Sequence, residues 1–292
     1  MDKKNHTSEL IKKVRRIELK TRGLSNQIFS GEYHSAFKGR GMAFSEVREY
    51  APGDEIRDID WNVTARFGSP FVKVFEEERE LTVILMVDIS GSNSFGTQSK
   101  LKKEQITEIC AVLSFSAIQN NDKIGVIFFS DRIEKFIPPK KGKSHIMRII
   151  RDLIEFEPES KKTDLTQVLK YVNKVIKKKS IVFLLSDFIS PNFEDALKLT
   201  NKKHDLIAVN VHDVREREMP KMGLVPFKDL ETGEYRWVNT SSKKARNMYK
   251  SLVDERVTDL HAMFKRAGID FADIATDQDY IKPLMKLFKK RG

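Results

Sequence analysis

The sequence predicts an α/β protein: a doubly wound, mostly parallel, six-stranded sheet preceded by a small N-terminal helix-plus-strand subdomain. Three observations predict it. From Leu81 onward, strand-sized apolar runs alternate with helix-length amphipathic stretches, the pattern of a sheet covered by helices on both faces. The runs 81–87 and 181–185 (IVFLL) are apolar without alternation, as strands buried on both sides must be. Before Leu81 the pattern changes to one amphipathic helix, a Gly-rich polar and aromatic stretch, and one alternating strand.

The elements follow in order. Residues 8–22 form a basic amphipathic helix with Leu10, Ile11, Val14, Ile17 and Leu19 inward and Ser8 as N-cap. Residues 23–46 show little periodicity. Pro52-Gly53 fits the centre of a type II turn, where Gly accepts positive φ. Residues 70–78 alternate as a strand after the turn signal Gly68-Ser69-Pro70. Further strands are predicted at 82–88, 124–129, 133–137, 181–187, 206–211 and 270–275, and helices at 100–119, 144–156, 164–178, 192–202, 243–267 and 278–289. Only Ser130-Asp131-Arg132 separates the second and third of these strands, so the third must return antiparallel at an edge. The implied spatial order is third, second, first, fourth, fifth, sixth. Residues 222–239 read as an inserted hairpin around Glu231-Thr232-Gly233. The division expected is an N-terminal segment, 1–80, and an α/β domain, 81–292, containing that hairpin.

Composition excludes several classes. With 40% apolar and 33% charged residues the chain is an ordinary globular one. Its longest apolar runs fall short of the roughly 18 residues a membrane span needs, and the N-terminus lacks the apolar core of a secretory signal. A single cysteine, Cys110, excludes an intramolecular disulfide and reads as a core residue. A cytoplasmic location is expected. The net charge is +11, yet residues 1–80 carry 15 Lys and Arg against 14 Asp and Glu, a net of +1. The rest is spread over helix faces, Lys170/Lys174/Lys177/Lys178 and Lys282/Lys286/Lys289/Lys290, with no interleaved aromatics for base stacking. These read as solvated basic faces. Nucleic acid is not the expected partner, and peripheral contact with an anionic membrane stays open.

The chemistry concentrates in Asp88-Ile89-Ser90-Gly91-Ser92, at the end of the first buried strand. A carboxylate and two hydroxyls at i, i+2, i+4 share one side of an extended segment, and all three are hard oxygen donors of the kind Mg²⁺ takes. Asp187 ends the fourth strand, and Thr163 stands just before the helix predicted from 164. In an open doubly wound sheet, ligands sit beyond the carboxyl ends of the strands where strand order reverses. Here that is between the strands ending in Asp88 and Asp187.

These five residues resemble the metal-ion-dependent adhesion site of von Willebrand factor A domains, D-x-S-x-S plus a separate Thr and a separate Asp. The resemblance implies an A-like fold and a metal site of Asp88, Ser90, Ser92, Thr163 and Asp187. The ion would be Mg²⁺, with Mn²⁺ or Ca²⁺ as substitutes, and a protein partner would supply an acidic residue as the last ligand. Two departures stand out: Lys161-Lys162 where the family often has two glycines, and Phe188 where it often has Gly. Upstream, Arg48-x-Tyr50-x-Pro52-Gly53-Asp54-x-x-Arg57-x-Ile59-Asp60-Trp61 through Ala65-Arg66, with Gly39-x-Gly41-x-x-Phe44, closely resembles the bacterial domain of unknown function 58 family, although Ala43 stands where members usually have Glu. That family joins such a segment to an A-like domain. The resemblance implies a MoxR-type AAA+ ATPase as partner, with Arg48, Tyr50, Asp54, Arg57, Asp60, Trp61 and Arg66 as contact residues. The plainer reading of these residues is an Arg–Asp network that fixes a tight-turn unit against the sheet, with Trp61 as a packing anchor.

Enzyme readings are weaker. An aspartate-based phosphatase needs a second acid two residues on, where Ser90 stands. There is no P-loop and no zinc-type His/Cys cluster, and Ser90 has no base at recognisable spacing. The chain is therefore expected to be an interaction module and not an enzyme. The alternatives are a metal-dependent phosphohydrolase or nuclease using the same acids, and a basic-surface binder of nucleic acid or anionic membrane.

Overall fold

A computed structural model of the chain describes residues 3–24, 30–37, 42–77, 80–94, 101–228 and 235–291. It begins with helices α1 (Lys3–Leu24) and α2 (Ser30–Phe37), strand β1 (Met42–Glu49), helix α3 (Trp61–Phe67) and strand β2 (Phe71–Glu77). There follow β3 (Thr82–Asp88), α4 (Lys102–Gln119), β4 (Lys123–Phe129), β5 (Ile133–Lys140), α5 (Lys143–Glu155), α6 (Leu165–Val175), β6 (Ile181–Ser186), α7 (Glu194–Lys203) and β7 (Asp205–His212). Last come α8 (Val214–Arg217), β8 (Leu224–Lys228), β9 (Tyr235–Asn239), α9 (Lys243–Arg266), β10 (Asp270–Ala275) and α10 (Ile281–Arg291).

The central sheet runs β10-β7-β6-β3-β4-β5, the order the sequence implies. Every pairing is parallel except β4–β5, where the three-residue link turns β5 back as an antiparallel edge. Alternate residues of one strand feed opposite cores, as the pleat requires. Val83, Leu85 and Val87 pack under α4, α5 and α10, whereas Ile84 and Met86 pack under α6, α7 and α9. Cys110 is fully buried in the first of these cores, which raises its thiol pKa far above the ordinary range. Among the described residues no helix is long and apolar enough to cross a membrane.

The two N-terminal helices join the first core. Val14 and Ile17 of α1 pack against it, whereas Leu19 is 72% exposed and Ser8 lies inside a helix that begins at Lys3; Lys20 pairs with Glu108 on α4 at 2.7 Å. The helix α2 lies in the stretch that showed no periodicity. Its inward residues, Tyr33, Ala36 and Phe37, span barely one turn, too short for a periodic signal, and tertiary contacts fix it instead. Tyr33 Oη donates to Asp122 at 3.1 Å, while its ring meets Phe37 and Phe288. The strands β1 and β2 pair antiparallel with each other, and with α3 they pack chiefly among themselves. The hairpin expected at 222–239 is β8 paired antiparallel with β9. Its turn residues Glu231-Thr232-Gly233 fall outside the described residues. The helix α6 ends at Val175, so Lys177 and Lys178 lie beyond it and do not continue its face.

Two positions carry tests of this packing. A Cβ on Gly125 would lie 2.9 Å from Pro139 N and 3.0 Å from Ile137 O, where the β4–β5 register shifts. Gly125→Ala should cost about 1–3 kcal/mol by overpacking, read as a lower Tm; an unchanged Tm would show that β5 moves aside freely. His204 is 1% exposed and neither ring nitrogen has a partner. Burial, and then Lys203, push its pKa down from 6.5 to about 4. The unfolded chain therefore takes up the proton first as pH falls. The stability contributed by neutral His204 is present above 6.5 and drains away between 6.5 and about 4. The Tm of wild type relative to His204→Gln should thus fall on moving from neutral pH into that window. A pH-independent difference would refute the assignment.

Candidate functional site

Strands β3 and β6 lie side by side, with Val87 opposite Leu185, so both deliver their carboxyl ends to one edge. Their onward connections leave in opposite directions, which opens the switch-point crevice between them. Asp88 and Asp187 stand at this point, 1% and 6% exposed. Ser186 Oγ donates to Asp88 Oδ2 at 2.5 Å and Ser90 N–H to its Oδ1 at 2.9 Å, while the next peptide, Ile89 N–H, bonds Phe129 C=O at 2.9 Å. The chain then turns through a short 3₁₀ segment, Gly91–Ser94, which brings Ser90 Oγ and Ser92 Oγ to 3.1 Å. Gly91 N–H bonds Lys161 C=O at 2.9 Å, placing half-buried Thr163 two residues beyond that contact. Asp164 then caps α6 by accepting from Gln167 N–H.

Beyond Asp187, Phe188 takes a left-handed backbone, φ 55°, which explains why a glycine suits this position. The phenylalanine is kept by packing: its ring is buried 5.0 Å from Phe264 and 6.2 Å from Phe193. Two turns fix the loop, Phe188 N–H to Ser186 Oγ at 3.0 Å and Ile189 N–H to Asp187 Oδ1 at 3.2 Å.

The residue that sequence reasoning missed is Lys102. Its ammonium is wholly buried, 3.0 Å from Asp187 Oδ2 and 2.6 Å from Glu216 Oε1 of α8. A signal was present. Lys102 shares an inward helix face with Gln105, Ile106 and Ile109, at i, i+3, i+4 and i+7, where a lysine demands a buried counter-charge. Burial pulls its pKa down, but Asp187 and Glu216 outweigh that and raise it, so it stays charged. At Asp88 the balance is different. Burial, and then the Asp187 charge, push its pKa up to about 6.

The donor chemistry fits a hard dication. Two carboxylates and three hydroxyls are oxygen ligands only, and the 3.1 Å between the serine oxygens matches neighbouring ligands around an ion at about 2.0–2.1 Å. Asp88, Asp187 and Glu216 carry three negative charges against one on Lys102, a surplus of two. Among the described residues no group of three or more His, Cys, Asp or Glu is placed to hold a metal ion.

The N-terminal signature divides by role. Arg48 forks onto Asp54 at 2.8 and 2.7 Å, and Asp54 also accepts from Ala51 N–H at 2.8 Å, closing the turn at Gly53, φ 109°. Asp60 caps α3 by accepting from Asn62 and Val63 N–H. Tyr50 is half-buried and its N–H bonds Pro70 C=O at 2.9 Å. Among the described residues Arg57 pairs only with Glu55, and Arg66 lies exposed in the last turn of α3. Only part of the expected Arg–Asp network exists. The expectation for Trp61 is corrected: it is 67% exposed and anchors nothing, because it opens a seven-residue helix that buries no residue fully. Ile56 and Phe67 are exposed beside it in the same unit. Among the described residues, no hydrogen bond or ion pair joins these seven residues to the Asp88 edge.

Fold and site together define an α/β domain with a carboxylate-and-hydroxyl centre at its switch point. Residues 46–259 match the family described as protein of unknown function DUF58, and the chain belongs to that family. The match takes in Arg48–Arg66 and Asp88, Ser90, Ser92, Thr163 and Asp187. The uncharacterized protein Rv1480 of Mycobacterium tuberculosis is 25% identical over 281 residues, covering 95% of this chain and 88% of its own. YeaD of Bacillus subtilis is 26% identical over 109 residues, 37% of this chain and 25% of that one. Among solved structures, an aerotolerance-related membrane protein from Bacteroides fragilis has a TM-score of 0.49 at 14% identity, covering 72% of this chain and 98% of that one. BatB from Bacteroides thetaiotaomicron has a TM-score of 0.46 at 14% identity, with the same coverage.

Proposed function

We propose that the chain is a cytoplasmic protein-interaction module whose docking site is the Asp88–Asp187 edge. A hard divalent cation, Mg²⁺ with Mn²⁺ or Ca²⁺ as substitutes, would be held there by Asp88, Ser90, Ser92, Thr163 and Asp187. The observation that carries this reading is the meeting, at one switch point, of two buried carboxylates with two hydroxyl oxygens 3.1 Å apart. When bound, the cation would supply electrostatic attraction for an acidic side chain of the partner. The chain's own groups do the rest. Ser186 and the Ser90 amide orient Asp88, and Lys102 holds one oxygen of Asp187 until it is needed.

On the family resemblance alone, the partner is a MoxR-type AAA+ ATPase. In this proposal residues 1–80 are a family-specific recognition segment and 81–292 the A-like domain. Arg48, Tyr50, Asp54 and Asp60 keep the β1–α3–β2 unit in shape. Arg57, Trp61 and Arg66 are exposed and of the types that dominate protein interfaces.

A pull-down with such an ATPase, with and without Mg²⁺ and at two salt concentrations, tests the reading. Retention should need Mg²⁺ and survive added salt. Binding indifferent to chelation would refute it. Steep salt dependence without Mg²⁺ dependence would favour a basic-surface binder. Mg²⁺-dependent turnover of a generic phosphoester, lost on Asp187→Ala, would favour a phosphohydrolase.

A further inference from the structure

Among the described residues, strand β10 is the open edge of the central sheet, paired with β7 alone. Thr276 N–H bonds His212 C=O at 3.0 Å, and Ala275 lies opposite His212. Hydrogen bonding in a parallel pair repeats every second residue, so the backbone groups of Phe271 and Asp273 face away from β7. No hydrogen bond from the described residues meets them on that side. The end of α9 and α10 flank this edge. It opens into a groove of about 1020 Å³ that β10 shares with α10 and the end of α9. That is the upper end of the range for ligand sites, about 300–1,000 Å³.

Charge says what would lie there. Lys265, Lys282 and Lys286 line the groove and are exposed. None of the three pairs with a carboxylate of the described residues. The acids of the groove are already engaged. Asp270 is held by Lys290 at 3.0 Å and Arg291 at 2.6 Å. Asp273 accepts from Asn210 Nδ2 at 2.7 Å and lies 2.7 Å from His261 Nε2. Asp279 accepts from Ile281 N–H at 3.0 Å at the start of α10. The lysine face that reads from the sequence as merely solvated is thus, in part, one wall of an unpaired strand edge. Lysines beside an edge oppose pairing with another copy that carries the same charges. The same charges favour an acidic strand.

We propose that the β10 edge is a docking site for an acidic, extended peptide segment of a partner protein, which adds to the sheet as a seventh strand. Main-chain bonds to Phe271 and Asp273 would give the affinity, and Lys265, Lys282 and Lys286 the selection for acidic side chains. The site is separate from the Asp88–Asp187 edge and does not depend on a metal.

The test uses the full chain and a labelled, N-acetylated peptide of alternating valine and glutamate, read by fluorescence anisotropy at low salt. Hydrogen exchange at the Phe271 and Asp273 amides is the second readout. The peptide should bind and slow exchange at both amides, with or without EDTA. The double variant Lys282→Glu/Lys286→Glu should bind about tenfold more weakly and melt like wild type, since both side chains are exposed. A peptide of equal charge, N-methylated at alternate residues, should not bind. Equal binding of the N-methylated peptide would reduce the site to unspecific charge attraction and overturn the proposal. So would absence of binding, or binding without protection of the two amides.

Discussion

Lys102→Met should lower stability by about 3–5 kcal/mol, the usual cost of removing one partner from a buried ion pair. Methionine matches the length of the lysine stem but leaves Asp187, and with it Glu216, without the ammonium that sits 3.0 and 2.6 Å away. Asp88, whose pKa is already pushed up by burial and by Asp187, then shares the edge with an Asp187 carboxylate that has lost its ammonium. Thermal unfolding reads the loss. The same variant should gain Mg²⁺ affinity, because a tethered competitor for Asp187 is gone, and millimolar Mg²⁺ should return part of the lost Tm through ligand linkage. Glu216→Gln should act in the opposite sense on affinity, since it leaves Lys102 to Asp187 alone. Calorimetric titration of the three proteins distinguishes the outcomes. Equal Mg²⁺ affinity in all three would show that Lys102 is a structural ion pair only. No Mg²⁺ binding in any would remove the metal reading itself.

Asp88→Asn should abolish Mg²⁺ binding and Mg²⁺-dependent retention of a partner while making the metal-free protein more stable at neutral pH. The carboxylate is 1% exposed and faces Asp187, so its charge is a cost to the fold that only a cation repays. The sign follows from its raised pKa, about 6 against 3.8. The folded state holds the proton more tightly, so stability from this group is complete below 3.8 and lost as pH rises through about 6. The Tm advantage of Asp88→Asn should therefore be largest above pH 6 and vanish toward pH 4. Asp88→Ala would also remove binding, but it strands the Ser186 hydroxyl and the Ser90 amide, at about 1–3 kcal/mol. A destabilised Asp88→Asn protein, or one that still binds Mg²⁺, would contradict the assignment.

Most of the sheet was legible because its strands are buried on both faces and so are written as unbroken apolar runs. The three-residue link after Phe129 fixed the antiparallel edge, and the position of Asp88 and Asp187 at strand ends fixed the switch point. What was not legible is short or depends on distant residues. The helix α2 turns only Tyr33, Ala36 and Phe37 inward, and its partners, Asp122, Phe183 and Phe288, are far along the chain. Trp61 looked like an anchor because tryptophan usually is one; the seven-residue helix it begins has no second layer to bury it.

The sequence by itself determined the strand order, the placement of Asp88 and Asp187 at strand ends and the family signature, because each is encoded by local pattern. The tertiary structure alone decided what charge those acids face and which edges are free. Lys102 meets Glu216 across 114 positions, and Lys282 lies along β10 only because α10 folds back on it. Electrostatics acts through space, so the cation at the centre and the basic wall of the groove exist only once the chain has closed.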